Sequence, residues 1–408
     1  MHFFQKNLVG ILCCILFANT TTYGWDPSET EDLRLSHLPY YSYGQGLGIT
    51  SPDSLYQLKI RFRIQNRVSY QRTDGKNAVI DGEIRRLRLR FDGYVGDPRF
   101  QYTLQLSFAP DDVGSIEEGK NINVIRDAVI FYKPDKHWSF GFGQTKLPGN
   151  RQRVNSSGAL QFTDRTINNA RFNIDRDFGV QVFRSHMFAN KFSWSLKGAV
   201  TMGEGRNWTQ NNDDNLAYTG KIELYPFGSF TKNGAYFEGD LMREATPKLL
   251  LSAAFHQNND AKRTQGQLGA DLYEPRTMQS VLIDMMFKYK GFALMSAYMS
   301  RSADNPITVN PSDPVDIRYV YVGSGVDIQG SYLFENNLEA LFRYSTQTVG
   351  SHIFPYVPHT QQYAVGLTKY IWEHAFKLQS ELCYQLEDFH SGIQQKSWYL
   401  RFQIEMGI

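Results

Sequence analysis

The chain has 408 residues, 41% hydrophobic and 14% aromatic, with a formal net charge of +2. A mean hydropathy of −0.43 excludes a bundle of membrane-spanning helices, each of which needs about 20 consecutive apolar residues. It leaves open a membrane barrel, whose strands are apolar only at alternate positions, and a chain this close to neutral carries no nucleic-acid footprint.

In chain order, the first feature is a short apolar run. Lys6 supplies a positive start, Leu8 to Ala18 an apolar stretch, and Thr22-Tyr23-Gly24 a small and polar end. Together they predict a cleaved secretory signal over residues 1–24, too short to span a membrane. Cys13 and Cys14 fall inside it, but Leu12 stands where a lipid-attachment box needs a small residue. Cleavage leaves Cys383 alone, so no intrachain disulfide is expected. Residues 25–55 show no alternation and read as an irregular periplasmic segment.

From residue 56 to residue 408 the chain breaks into about sixteen segments of alternating polarity. Leu58, Ile60, Phe62 and Ile64 oppose Lys59, Arg61, Arg63 and Gln65 in the first segment. In the last, Trp398, Leu400, Phe402, Ile404 and Met406 oppose Tyr399, Arg401, Gln403 and Glu405. The connections alternate in kind. Gly96-Asp97-Pro98, Pro134-Asp135, Lys290-Gly291 and Glu335-Asn336 are tight turns, whereas 71–82, 110–123, 145–176, 203–215, 258–277, 302–319, 346–360 and 388–396 are long and polar. Pro226 to Lys248 breaks the rule, being long on the short-turn side. A soluble sandwich would give similar strands but has no reason to keep this phase. The pattern predicts an all-β fold, a transmembrane antiparallel β-barrel of about sixteen strands with short periplasmic turns and long extracellular loops. Barrels of that size leave an aqueous channel rather than a packed core.

Charge concentrates at two places. Lys59, Arg61, Arg63 and Arg67 share the polar face of one strand, and Arg86, Arg88 and Arg90 that of the next. Joined as a hairpin, they would form one basic wall facing the lumen, able to draw in anions. Asp92, Glu339, Glu381 and Glu405 are also expected to face inward, which leaves a weakly selective pore as the alternative. The second place is the connection near 145–176, with Lys146, Arg151, Arg153, Arg165, Arg171 and Arg176 against Asp164 and Asp175. Folded inward, this loop would form a constriction; lying outside, it would be a solvated surface loop.

The same stretch carries a resemblance. Gly143-Gln144-Thr145-Lys146-Leu147-Pro148, Ser156-Ser157, Phe162, Arg165, Asn168 and Arg176-Asp177-Phe178-Gly179 resemble the phosphate-selective porin O and P family. So do Arg85 to Leu89, Phe237-Glu238-Gly239-Asp240 and Leu338 to Ser345, and the opening Gly48 to Arg63 looks like members from the Bacteroidetes. The resemblance implies a sixteen-stranded, commonly trimeric anion porin whose third loop, carrying Lys146, Arg165 and Arg176, forms the constriction.

The expected function is therefore passive diffusion of small hydrophilic solutes, preferentially phosphate or other small anions, through the bacterial outer membrane. Its partners would be membrane lipid, those anions, the barrel assembly machinery and further copies in a homotrimer, with no nucleic acid, cofactor or metal. Two rivals stand beside it. An adhesin or structural anchor would use loops such as Asn207-Trp208 to Asn215, whose Asp213 and Asp214 lack the spacing of a calcium loop. A barrel lipid hydrolase would need a nucleophile paired with His256 or His374, and no such serine motif is present.

Overall fold

The computed structural model describes residues 40–42, 46–114, 123–207 and 214–408. The expected signal peptide, most of the segment that follows it, and Trp208 to Asp213 lie outside the described residues. The strands are β1 (Tyr40–Ser42), β2 (Gly46–Thr50), β3 (Tyr56–Thr73), β4 (Val79–Val95), β5 (Phe100–Ser107), β6 (Ile125–Tyr132) and β7 (Trp138–Lys146). They continue as β8 (Arg176–His186), β9 (Ser193–Thr201), β10 (Ala217–Tyr225), β11 (Lys248–Arg263), β12 (Asp271–Tyr289) and β13 (Phe292–Ala303). A loop hairpin, β14 (Ile307–Asn310) and β15 (Asp313–Tyr319), precedes β16 (Gly323–Leu333), β17 (Leu338–Val349), β18 (His359–Trp372), β19 (Phe376–Asp388) and β20 (Gln394–Gly407).

Sixteen of these strands, β3–β13 and β16–β20, form a closed antiparallel barrel. Closure is made by β20 against β3, with Met406 opposite Ile64 and Ser397 opposite Thr73. Closure is what a membrane demands, because an open edge would leave main-chain donors unsatisfied in lipid. Alternation sets the faces. Leu400, Phe402, Ile404 and Met406 stand exposed on the outer surface, while Gln403 and Glu405 are buried within. Aromatic side chains gather towards strand ends: Tyr132, Trp138 and Phe140 stack outside the short-turn rim, and Tyr70 packs on Trp398 towards the other rim. Rings with a polar handle suit that boundary between lipid and water.

The boundaries differ from expectation in three ways. First, several strands run further at the long-loop end. β3 and β4 leave only 74–78 between them, and β11 and β12 leave 264–270, because residues such as Gln71, paired with Val79, keep the ladder going beyond the apolar band. Second, the stretch 25–55, read as irregular, contains β1 and β2. β20 ends opposite Arg63, which leaves the lower half of β3 without a neighbour, and β2 fills that gap by pairing Leu47 with Ile60 and Thr50 with Gln57. A bare edge is thereby covered. Third, the lumen is not simply open water. Leu147, Phe172 and Ile174 pack on inward-facing Ala254, Leu282 and Met299 and on Val320, Val322 and Ile353 from two loops. A second cluster joins Tyr225, Phe230, Ala235, Leu250 and Met286. Two inserted segments occupy that side.

Candidate permeation path

The connection between β7 and β8, residues 147–175, folds into the lumen. Its apolar side chains are the reason it holds there: Leu147, Leu160, Phe162, Phe172 and Ile174 are each about 1% exposed or less. Leaving them in water would forfeit about 1.5–3 kcal/mol apiece for the large ones. Its main chain is received by the far wall. The Lys377 ammonium donates to the carbonyls of Gly158 (3.0 Å) and Leu160 (2.6 Å), and Gln379 donates to Gln161 and Phe162. Arg301 donates to the carbonyls of Arg171 and Asn173, and Arg343 to that of Asp164. Carboxylates on the wall accept in turn: Glu381 from the Thr163 amide and hydroxyl, Glu339 from Gln161, Asp327 from Thr166 and Asn168.

From the opposite end the connection between β10 and β11, residues 226–247, also enters the barrel. Lys288 caps the carbonyls of Gly234, Phe237 and Gly239 at 2.6–2.9 Å. Glu238 then joins the two inserts, accepting from Gln152 at 3.0 Å and from the Gln161 amide at 2.9 Å. The exceptional length of this turn is thus structural. Its sequence sign was visible, its destination was not.

The seven residues of the basic wall all lie on the lumen side, but most are engaged. Arg61 and Arg90 clamp Asp92, Arg90 through bonds of 2.7 and 2.9 Å. Arg63 donates to the hydroxyls of Ser156 (3.0 Å) and Ser157 (2.6 Å) and stands 3.9 Å from Glu405. Arg67 pairs with Glu83, and Arg88 donates to Asp112 (2.7 Å) and Ser157 (2.7 Å). Lys59 is half-buried beside Arg61. A β-bulge in β4 opposite Gln65 and Asn66 lets the consecutive Arg85 and Arg86 both reach inward, since a bulge re-aims one side chain. Arg85, Arg86 and Arg67 converge on Asp164 at 2.7, 3.0 and 3.3 Å. Burial alone would raise the Asp164 carboxyl, yet Arg86, Arg85 and Arg67 hold it well below the usual carboxylate range. Much of the wall therefore serves to seat the loop. Gly158 shows how closely: a Cβ there would meet the Arg63 guanidinium at 2.3 Å.

The six loop cations separate into groups. Arg151 is buried, paired with Glu223, and does not face open lumen. Arg171 is exposed on the long-loop side over the ring of Tyr321. Arg153 pairs with Asp175 at 2.6 Å, and Arg176 with Asp127 at 3.0 Å. Lys146 and Arg165 are different. Lys146 donates to the carbonyls of Val154 (2.8 Å) and Asn155 (2.9 Å), and Arg165 to those of Gln152 (2.9 Å) and Asn155 (3.0 Å). Both charges thus rest on main-chain oxygens and share one of them. Of the carboxylates expected to neutralise the wall, Asp92 does so, Glu405 is shared with Lys377, and Glu339 and Glu381 instead hold the loop.

Between the inserts and the β4–β10 wall runs a cavity of about 970 Å³. Among the described residues its lining includes eleven Lys and Arg side chains against three Asp and Glu. A second lobe of about 820 Å³ shares Arg61, Arg88 and Arg90 with it and extends towards β20. Charge reasoning missed Arg126 and Lys197, which also line the larger lobe, and Asp112, which balances Arg88 and Arg126 from the connection after β5. Arg126 was hard to find because it precedes Asp127 on a strand whose pairing slips by one residue there.

Comparison with known proteins agrees with this architecture. The outer membrane channel DcaP of Acinetobacter baumannii superposes with a TM-score of 0.56 at 16% identity, covering 91% of this chain and 100% of that one. OmpF of Salmonella typhi, in a complex with daunomycin, gives 0.50 at 13% identity over 86% and 98%. These likenesses show the fold. No curated protein matches the chain in sequence. The matched family model and the fold point to a channel rather than an enzyme. The model of the family described as phosphate-selective porin O and P matches residues 58–238, from the basic wall through the inserted loop to Glu238, and this match supports placing the chain with that family.

Proposed function

We propose that the chain is an outer-membrane porin for small hydrophilic anions, admitted past the inserted loop and drawn by the cations that line the larger lobe. One observation carries the anion preference: Lys146 and Arg165 donate to carbonyls rather than carboxylates and converge on Asn155 in a lining of eleven cations and three anions. Asp92, Asp112 and Asp175 stand behind that lining and offset part of its charge, but none of them bonds to Lys146 or Arg165. An anion arriving there can displace a neutral carbonyl partner instead of competing with a carboxylate. The wall arginines act mainly as the loop's seat, and phosphate is one member of the class. The same reading includes export by the segment 1–24, insertion by the barrel assembly machinery, an outer face turned to lipid, and a homotrimer.

The test is the reversal potential of reconstituted channels across a KCl gradient. A pore of this charge should pass chloride in preference to potassium. Arg165→Glu and Lys146→Glu should each move the potential towards potassium, and Arg171→Glu, on the exposed long-loop side, should move it less. Attraction of about 0.7 kcal/mol for unit charges about 6 Å apart in water, and more in a narrow lumen, puts the single effects at threefold or above in permeability ratio. A potassium-preferring wild type would overturn the reading.

A further inference from the structure

We infer that the larger lobe binds organic anions that carry an aromatic ring, taking the charge at the Lys146–Arg165 end and the ring against aromatic side chains below it. This deepens the anion reading and rests on it. The lobe is not uniformly polar. Phe131 and Phe183 project into it from β6 and β8, at inward positions of the alternation. Tyr236 and Phe237 enter from the second insert, and Tyr236 keeps 42% of its surface exposed although it lies inside the barrel.

Packing explains some of the lobe's rings and not others. Tyr225 and Phe230 are 3% and 5% exposed and belong to the cluster that seats the insert. Tyr236 belongs to no such cluster. An apolar face left towards lumen water costs free energy in proportion to its area, so a ring kept open there is best accounted for by something that covers it part of the time. Cations frame these rings as well: the Arg151 guanidinium lies 5.2 Å from the centre of Tyr236, and the Lys197 ammonium 5.8 Å from that of Phe183.

Ligand chemistry follows from the two halves. Inorganic phosphate would use the cations and leave the rings wet. A carboxylate without a ring would do the same. An aromatic carboxylate satisfies both, its oxygens matching the planar guanidinium of Arg165 and its ring stacking edge or face against Tyr236 and Phe183, contacts that add about two- to tenfold in affinity per ring pair.

The full-length protein in planar bilayers provides the test. Benzoate, acetate and inorganic phosphate are added in turn to KCl at pH 7, and the concentration that halves the chloride current is recorded. Benzoate should act at a concentration about fivefold or more below acetate and phosphate. Tyr236→Leu and Phe183→Leu should bring benzoate up to the acetate value, while Tyr236→Phe should retain its advantage. If benzoate and acetate act alike, or phosphate acts at the lowest concentration of the three, the ring site is wrong although the pore still prefers anions. A potassium-preferring reversal potential overturns both readings, and that measurement is made first on the same channels.

Discussion

Asp164 is where the inserted loop meets the basic wall, and changing it to asparagine tests whether that contact holds the loop. The carboxylate accepts from Arg85 at 2.7 and 3.0 Å, from Arg86 at 3.0 Å and from Arg67 at 3.3 Å. An amide in its place offers one acceptor oxygen and turns an NH2 towards a guanidinium. Removing one member of a buried ion pair costs about 3–5 kcal/mol. Here the Asp164 side chain is 24% exposed, and each arginine keeps a second partner: Glu83 for Arg67, Asp111 for Arg85 and Gln65 for Arg86. The expected loss is therefore nearer about 2–3 kcal/mol. Denaturant unfolding followed by tryptophan fluorescence measures it. Trypsin gives a second readout, since Arg153 and Arg165 lie in the loop and should be cut faster once its seat is loosened. Asp111→Asn serves as control, because that carboxylate is 60% exposed and should cost under about 1 kcal/mol. An Asp164→Asn protein as stable and as resistant to trypsin as wild type would refute the anchoring role.

Acidification should reproduce part of that loss. The folded pKa of Asp164 lies below its ordinary value of 3.8, so its contribution is complete above that value and declines as pH falls through the folded one; wild type and Asp164→Asn should differ by a constant amount from pH 5 to 8 and converge below about pH 4 in denaturant titrations. Phe402→Arg places a charge on the lipid face and should cost roughly 2–4 kcal/mol of barrel stability, whereas Ser139→Arg, lining the larger lobe, should assemble normally; equal damage from both would mean the two faces are misassigned. Epitope tags within 74–78 or at Ser312 should be reached by antibody on intact cells, and tags at Asp97 or Asp135 should not, with the reverse pattern inverting the barrel's orientation.

The barrel was legible because its physics is local. Alternation in segments such as Trp398 to Met406 needs only a lipid face and a wet face, and the observed strands fall close to the segments read from it. Strand ends were less legible where polar residues continue a ladder, as at Gln71 opposite Val79, since nothing in composition separates a solvated strand from a solvated loop. β2 escaped notice for another reason: its pairing is dictated by where β20 stops, which is a property of the far end of the chain.

The site was legible as an inventory and not as an assignment. A row of arginines on one strand face says that cations point into the lumen, and they do. It cannot say which meet a carboxylate, because the partners come from Asp112 and Asp164 in other connections and from the bulge that turns Arg85 inward. The consequence reverses the first intuition about the wall. Arg63, Arg67, Arg86 and Arg88, the densest cations in sequence, spend their donors on Ser156, Ser157, Asp112 and Asp164, so their charge is largely balanced and they hold the loop in place. Lys146 and Arg165, members of the second charge concentration along the chain, stand at the place the loop creates and donate to carbonyls. In a lumen crowded with ion pairs, what a permeant ion senses is the residue of charge left after the scaffold has satisfied itself, and that residue is set by the geometry of the inserts rather than by the number of basic residues along a strand.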